Sequence, residues 1–281
     1  MFSSEYSSAG LSLGSAAAWG TGDFLGGLAS KGSNSFGVVV VTHGSGLLFM
    51  LAMALLTREA LPSNAALGWG VAAGLGGGFG LVSLYRALAI GQMGINAPVA
   101  AVITGVIPVI VGIWTQGYPA PIQFVGFAVA LVAIWLIAMP NGEIGRPKGL
   151  GLAMCAGIGF GIYLVCSSRA SSEAVYWPLV AARAASMLEM MLVATLTRQA
   201  WKPNTKLLPT MILAGVADSS GNALFMYAVR FGRLDVASVL SSLYPASTVL
   251  LAWFVLKERM SRLQMVGMVA ALVSVPLIAA K

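Results

Sequence analysis

The architecture of this chain is decided by two stretches, "IQFVGFAVALVAIWLIA" (residues 122–138) and "LQMVGMVAALVSVPLIA" (residues 263–279). A shift of 141 residues separates them, and nine of their 17 positions are identical. Each stretch is an almost uninterrupted apolar run with the length of a membrane-crossing helix. The chain therefore contains a duplicated apolar helix.

The duplication extends over the rest of the chain. Without a gap, the same shift places Gly74, Gly80, Ala87 and Gly91 on Gly215, Gly221, Ala228 and Gly232, and Trp19-Gly20 on Phe160-Gly161. The single offset predicts two five-helix repeats, 8–139 and 149–281, joined by a linker at 140–148. Because five crossings are an odd number, the second repeat is expected to lie inverted, as in many secondary transporters.

Composition places the chain in a membrane. Hydrophobic residues make up 58% of the sequence and charged residues only 9%, against about 25% charged in soluble domains. The predicted fold is an all-α integral membrane protein with ten transmembrane helices in two inverted five-helix repeats. The apolar windows are 10–30, 36–56, 67–89, 95–115, 121–139, 149–168, 178–197, 207–229, 236–256 and 263–280.

Charge and cysteine usage argue against several other classes. The net charge is +7, but lysines and arginines occur singly between apolar runs, so they indicate membrane topology and no nucleic-acid partner. Cys155 and Cys166 lie in one apolar run, roughly 16 Å apart along a helix, which is too far for a disulfide. No metal-binding spacing occurs, and no metal or cofactor is expected.

The second repeat carries a set of ordered motifs. They are Ala228 with Gly232, Tyr244-Pro245, Glu258-Arg259, and Gln264 with Gly267. In this set the chain resembles the EamA type of the drug/metabolite transporter (DMT) superfamily. The first repeat matches less fully: Trp19-Gly20 and Gln123 with Gly126 resemble the family pattern, but Gly117-Tyr118 replace the Glu-Arg pair.

The resemblance implies a transporter and not an enzyme. Its fold would have ten helices, with a central cavity lined by helices 1 to 4 and 6 to 9 and with helices 5 and 10 at the periphery. The substrate would be a small metabolite, an amino acid or related solute, moved in the export direction. We expect a multi-pass protein of the plasma (inner) membrane, in contact with the lipid bilayer and present as a monomer or homodimer.

Five ionisable residues fall inside predicted spans, where each costs about 2.5–3.5 kcal/mol to insert. They should therefore face the bundle interior or an aqueous cavity. They are Asp23, His43, Arg183, Glu189 and Asp218. The candidates for binding the solute or a proton are Asp23, Asp218, Asn222, Trp19, His43, Arg183, Tyr163 and Tyr244.

The two aspartates carry the most specific hypothesis. Asp23 and Asp218 lie near the middle of helices from opposite repeats, and Trp19 and Asn222 lie one turn away from them. Both carboxylates are expected to face one cavity, where at least one binds a proton or a cationic group. The alternative is that each forms only structural hydrogen bonds. Asp218→Asn is expected to fold and to reduce transport.

The basic candidates have more than one interpretation. His43 is the only histidine, and it either binds solute or a proton or is a hydrogen-bonded packing residue. Arg183 could bind an anionic group, pair with Glu189, or extend to the lipid headgroups. Tyr163 and Tyr244 either line the cavity or anchor helix ends at the interface.

The tetrapeptide Gly20-Thr21-Gly22-Asp23 also fits the Gly-x-Gly-Asp intramembrane aspartyl proteases. Those enzymes need two aspartates that share a proton, with Tyr-Asp before and Pro-Ala-Leu after the motif. Neither accompanying motif occurs in that order here, and a protease leaves the duplication unexplained. The other alternative is a membrane scaffold or sensor that transports nothing, which leaves the charges inside the spans without a purpose.

The orientation of the termini is predicted differently by two criteria. The membrane side that holds both termini carries five lysines and arginines, and the opposite side carries ten. The positive-inside rule therefore places the termini outside, whereas the family resemblance implies cytoplasmic termini.

Overall fold

The structure, a computed structural model, describes residues 4–30, 32–90, 93–138, 149–199, 202–257 and 260–280. The predicted linker 140–148, Gly91 and the Glu258-Arg259 pair lie outside these ranges. Within the described ranges the chain forms α-helices and no strand. The helices are α1 (Ser4–Ser30), α2 (Ser35–Leu56), α3 (Asn64–Ile90), α4 (Met93–Gln116), α5 (Pro121–Ala138), α6 (Leu150–Ala170), α7 (Tyr176–Leu196), α8 (Leu208–Phe231), α9 (Leu234–Ser241), α10 (Tyr244–Leu256) and α11 (Arg262–Ala279).

Eight segments of the described chain are long and apolar enough to cross a membrane. They are Phe36–Leu56, Asn64–Leu84, Val99–Gln116, Leu150–Ala170, Tyr176–Leu196, Thr205–Phe231, Leu234–Leu256 and Arg262–Ala279. The apolar stretch of α5, Pro121–Ile137, is shorter than these. Helix α1 is 27 residues long, but it is rich in serine and carries two acidic residues. The all-helical membrane class is therefore supported, with eight clear spans where the sequence predicted ten.

The ninth predicted helix is not continuous. The sequence predicted one helix at 236–256, but the chain forms α9 and α10 with a turn at Ser242 and Leu243. Pro245 explains the break, because it has no N–H to donate and its ring collides with the carbonyl group four residues earlier. Proline is tolerated at the start of a helix, and α10 accordingly begins at Tyr244.

Helices from the two halves of the sequence pack against each other around the centre of the bundle. Helix α1 lies on α8, α3 lies on α6, and α2 and α3 both contact α7. Helix α4 contacts α6 and α9, while α1 also contacts α9 and α10. Helices α5 and α11 pack mainly against each other. This arrangement leaves the other helices around the middle of the bundle.

Glycines allow the closest of these contacts. A Cβ atom on Gly74 of α3 would overlap the carbonyl oxygen of Ala182 in α7, and one on Gly215 of α8 would overlap that of Thr42 in α2. Small residues let helix backbones approach in this way inside a membrane. Gly74 and Gly215 are related by the 141-residue shift (74 + 141 = 215).

The contact between α5 and α11 is reciprocal. The side-chain amide of Gln123 donates to the carbonyl oxygen of Ile278 (3.0 Å), and that of Gln264 donates to the carbonyl oxygen of Ile137 (3.3 Å). Both residues of each bond differ by 141 from their counterparts in the other bond (123 + 141 = 264, 137 + 141 = 278). These bonds hold the duplicated helices in matching registers.

Gly74→Ala should destabilise the bundle, because the added methyl group must push α3 away from α7. We expect the free energy of unfolding to fall by about 1–3 kcal/mol, measured by unfolding in detergent micelles. The control is Gly68→Ala in the same helix, where an added Cβ meets nothing within 4 Å. That variant should keep or slightly raise stability because alanine favours helix. Equal stability of the two variants would contradict the packing described here.

Candidate functional site

A cavity of about 180 Å³ lies in the middle of the bundle. Its described lining comes from α1, α2, α3, α4, α6, α7, α8 and the start of α10, and not from α5 or α11. The eight candidate residues of the sequence all line it: Trp19, Asp23, His43, Tyr163, Arg183, Asp218, Asn222 and Tyr244. Residues that are far apart in the sequence are thus brought together at one place.

Asp23 is the unpaired acid of the cavity. Among the described residues, its carboxylate has no hydrogen-bond donor and no ion-pair partner, and its side chain is exposed within the cavity. The preceding glycines let α1 approach its neighbours. A Cβ on Gly20 would clash with α10 at Tyr244, and a Cβ on Gly22 would lie 3.0 Å from the Cβ of Asp218 in α8. The opening glycines of the tetrapeptide therefore serve helix packing.

Trp19 connects the two acidic helices, α1 and α8. Its indole N–H donates to the side-chain oxygen of Asn222 (2.8 Å), and both side chains are buried. The indole ring also contacts Phe225 and Tyr244, with centroid distances of 5.9 Å and 6.4 Å. These contacts fix the ring one helical turn from Asp23, so that a carboxylate and aromatic rings border the same space.

Arg183 of α7 forms an ion pair with Asp218 of α8. The arginine side chain is 8% exposed and the aspartate side chain 36% exposed. Burial of the guanidinium in the apolar bundle is tolerable only with such a counter-ion. The sequence left open a pair between Arg183 and Glu189, which was wrong because the two residues do not share a helical face. Glu189 instead packs on Gly78 of α3, with one carboxylate oxygen buried and without a described hydrogen-bond partner.

Two further polar groups complete the site. His43 Nδ1 and the hydroxyl group of Ser186 share a hydrogen bond of 2.9 Å between α2 and α7. The hydroxyl group of Tyr163 is buried and has no hydrogen-bond partner among the described residues. An unpaired hydroxyl that lines a cavity can bind a polar group of a ligand, because leaving it unpaired is unfavourable.

Sequence reasoning missed three lining residues, Thr104, Phe160 and Ser186. Ser186 follows Arg183 by three positions, so helical spacing from a known candidate could have identified it. Phe160 occupies the position that the 141-residue shift assigns to Trp19, which is a second usable signal. Thr104 lies in an apolar run of α4 and has no such signal.

The charges of the cavity are unequal. Two carboxylates face one guanidinium and one imidazole, and the ion pair uses one carboxylate and the guanidinium. The remaining carboxylate, with aromatic rings beside it, is suited to a proton or to a cationic group of a small molecule. An apolar helical bundle with such a cavity at its centre is the architecture of a membrane transporter.

The family is identified in the second half of the chain. Residues 147–280 match the EamA-like transporter family, which is part of the DMT superfamily. This match confirms the resemblance predicted from the sequence. The family points to a multi-pass membrane transporter of the drug/metabolite type and to a protein that is not an enzyme.

Other comparisons concern the fold alone. A solved structure described only as the crystal structure of a protein has a TM-score of 0.79 to this chain at 18% sequence identity. The alignment covers 97% of this chain and 96% of the other, so the two share a fold over nearly their whole length. A search of curated proteins finds no match to this sequence.

The ion pair gives a prediction with a definite order of effects. Asp218→Asn leaves the buried guanidinium of Arg183 without its counter-ion, whereas Arg183→Gln leaves Asp218 able to contact water in the cavity. We expect Asp218→Asn to be the more destabilising, by about 1–3 kcal/mol, which revises the expectation that this variant folds undisturbed. The double variant should recover part of the loss, measured by unfolding in detergent. Simple addition of the two losses would contradict the pairing.

Proposed function

We propose that this protein is a secondary active transporter that moves a small metabolite by alternating access. The observation that carries the proposal is Asp23, an unpaired carboxylate exposed in a central cavity next to aromatic rings. A charge within an apolar bundle is costly to maintain unless it serves binding. A scaffold or sensor that transports nothing gives no reason to keep it there.

The packing of the helices supports the two inverted repeats, 8–139 and 149–281. In such an arrangement each contact between the repeats should have a counterpart shifted by 141 residues. The reciprocal glutamine bonds between α5 and α11 fit this rule, and so do the pairs α1 with α8 and α6 with α3. Two related halves can exchange an inward-open for an outward-open shape around a site at their interface.

The solute of this proposal carries an ammonium group, as an amino acid or a related amine does. Asp23 would neutralise the ammonium group, and the rings of Trp19 and Tyr244 would offer it their faces. Tyr163 would bind a second polar group of the solute. A proton would occupy Asp23 when the solute is absent, which couples the two flows. We place the protein in the plasma (inner) membrane and propose export as its direction.

The protease alternative fits the site poorly. Aspartyl proteolysis requires two carboxyl groups that share a proton. Asp218 is instead paired with Arg183, and Asp23 has no acidic partner at hydrogen-bonding distance among the described residues. This geometry supports binding rather than peptide hydrolysis.

Asp23→Asn should abolish or strongly reduce transport without unfolding the protein, because it removes the unpaired charge and nearly keeps the shape. The measurement is solute counterflow in proteoliposomes with a panel of amino acids, amines, sugars and nucleosides. Any residual transport should lose its dependence on pH between about pH 6 and 8. Glu189→Gln is the matched control, because Glu189 also lies inside a span but is not part of the described cavity lining.

Two results would contradict the proposal. If no solute of the panel exchanges in either direction with the unaltered protein, the scaffold alternative gains. If Asp23→Asn transports normally across the pH range, then the carboxylate has no role in binding the solute or the proton.

A further inference from the structure

The cavity is closed toward one face of the bundle and open toward the other. We call the side that holds both chain termini the termini face; it includes the loops 57–63, 117–120, 171–175 and 232–233. Along α1, which starts at this face, Trp19 is buried, whereas Asp23 and Gly27 are exposed. All eight residues of α9 at this face are buried, but none of α10 is. Access to Asp23 is therefore from the opposite face.

Glu59 holds the first part of the closed face together. Its carboxylate accepts hydrogen bonds from the backbone N–H groups of Val175 (2.8 Å), Tyr176 (2.8 Å) and Trp177 (3.0 Å) at the start of α7. The indole N–H of Trp177 donates to the carbonyl oxygen of Glu59 (2.9 Å). A negative charge at a helix N-terminus is favourable for both its hydrogen bonds and the helix dipole. This contact ties the first repeat to the second.

Glu173 forms the reverse connection, from the second repeat to the first. It accepts from the backbone N–H and the hydroxyl group of Ser63, both at 2.8 Å, immediately before α3. These hydrogen bonds lower the pKa of the Glu173 carboxyl group, so that the carboxylate stays charged at neutral pH.

Arg233 makes the third connection on the termini face. It donates to the carbonyl oxygens of Gln116 (3.1 Å) and Gly117 (2.6 Å) at the end of α4. It also pairs at 2.7 Å with Asp235, whose side chain is fully buried. A cation at a helix C-terminus satisfies its last carbonyl groups, so α9 is fixed to α4.

The opposite face lacks the residues needed for equivalent contacts. The 141-residue shift places Glu59 on Ala200, Glu173 on Gly32, Arg233 on Gln92 and Asp235 on Gly94. None of these four can carry a charge. In the described part of this face, the equivalent contact is a pair of neutral bonds, in which Asn204 donates to Ser33 (3.0 Å) and to the carbonyl oxygen of Gly32 (3.2 Å). Charged hydrogen bonds are roughly twice as strong as neutral ones.

We propose that Glu59, Glu173 and the Arg233–Asp235 pair form a charged latch that sets the side on which the transporter opens at rest. They are positioning residues: they touch no solute, but they hold the termini face closed and so bias the cavity toward the opposite face. The proposal rests on the proposed transport function and on the two repeats. Neutralising one member of the latch should shift the population toward the conformation that opens on the termini face.

The protein's own cysteines allow a direct test without any solute. Cys166 is 7% exposed and follows Tyr163 by three positions, one turn closer to the termini face. With Cys155→Ser, Cys166 is the single thiol of the chain. The opposite face is monitored by Gly27→Cys in a background that lacks both native cysteines, because an added Cβ at Gly27 meets nothing within 4 Å. The measured quantity is the rate of reaction with a charged, water-soluble thiol reagent.

Glu59→Gln should raise the reaction rate of Cys166 by about an order of magnitude and lower that of the thiol introduced by Gly27→Cys. The control is Glu189→Gln, the same chemical change in α7 away from the latch, which should alter neither rate. Loosened or unfolded protein would raise both rates, and that result overturns the proposal, as does an unchanged rate at Cys166. Since no solute is present, a failed counterflow experiment leaves this test unaffected, and the latch can fail while transport is demonstrated.

Discussion

The central cavity is shaped by the cost of placing charge inside an apolar helical bundle. Arg183 is almost fully buried, and Asp218 on the neighbouring helix is its counter-ion. Each partner makes the presence of the other tolerable. Because that pair is complete, the second aspartate of the cavity, Asp23, is left with its charge available. The functional asymmetry of the site thus follows from electrostatic pairing, and the surrounding aromatic and polar residues act on a site that already has a negative excess.

The close approach of the helices determines where these charges lie. Gly22 brings the backbone of α1 against Asp218, and Gly74 and Gly215 bring α3 and α2 against their partners in the other half. In lipid, association depends on such packing because the hydrophobic effect no longer separates one helix from another. The same contacts occur in pairs related by 141 residues, so a duplicated sequence produces paired interfaces. The charged contacts of the termini face depart from this pairing, which gives the two faces unequal strength.

Much of this arrangement could be predicted from the sequence, and the limits have physical causes. Apolar run lengths located the helices because lipid imposes one length on each crossing, and helical spacing singled out residues such as Asn222 from Asp218. The break before Tyr244 was missed although Pro245 signals it, because the apolar run continues through the turn. The partner of Arg183 could not be read from spacing along one helix, since ion pairs between helices depend on tertiary packing. The buried hydroxyl of Tyr163 likewise becomes notable only when its neighbours are known.

Asp23 stands out as the available carboxylate of the cavity, and we propose that it binds a cationic group. The decisive measurement is modification of the protein in membranes with a hydrophobic carbodiimide, followed by mass spectrometry of the labelled peptides. Asp23 should be modified more readily than Asp218, and small amines should protect Asp23 whereas uncharged alcohols of the same shape should not. Modification of Asp218 in preference to Asp23, or equal protection by amines and alcohols, would contradict this role.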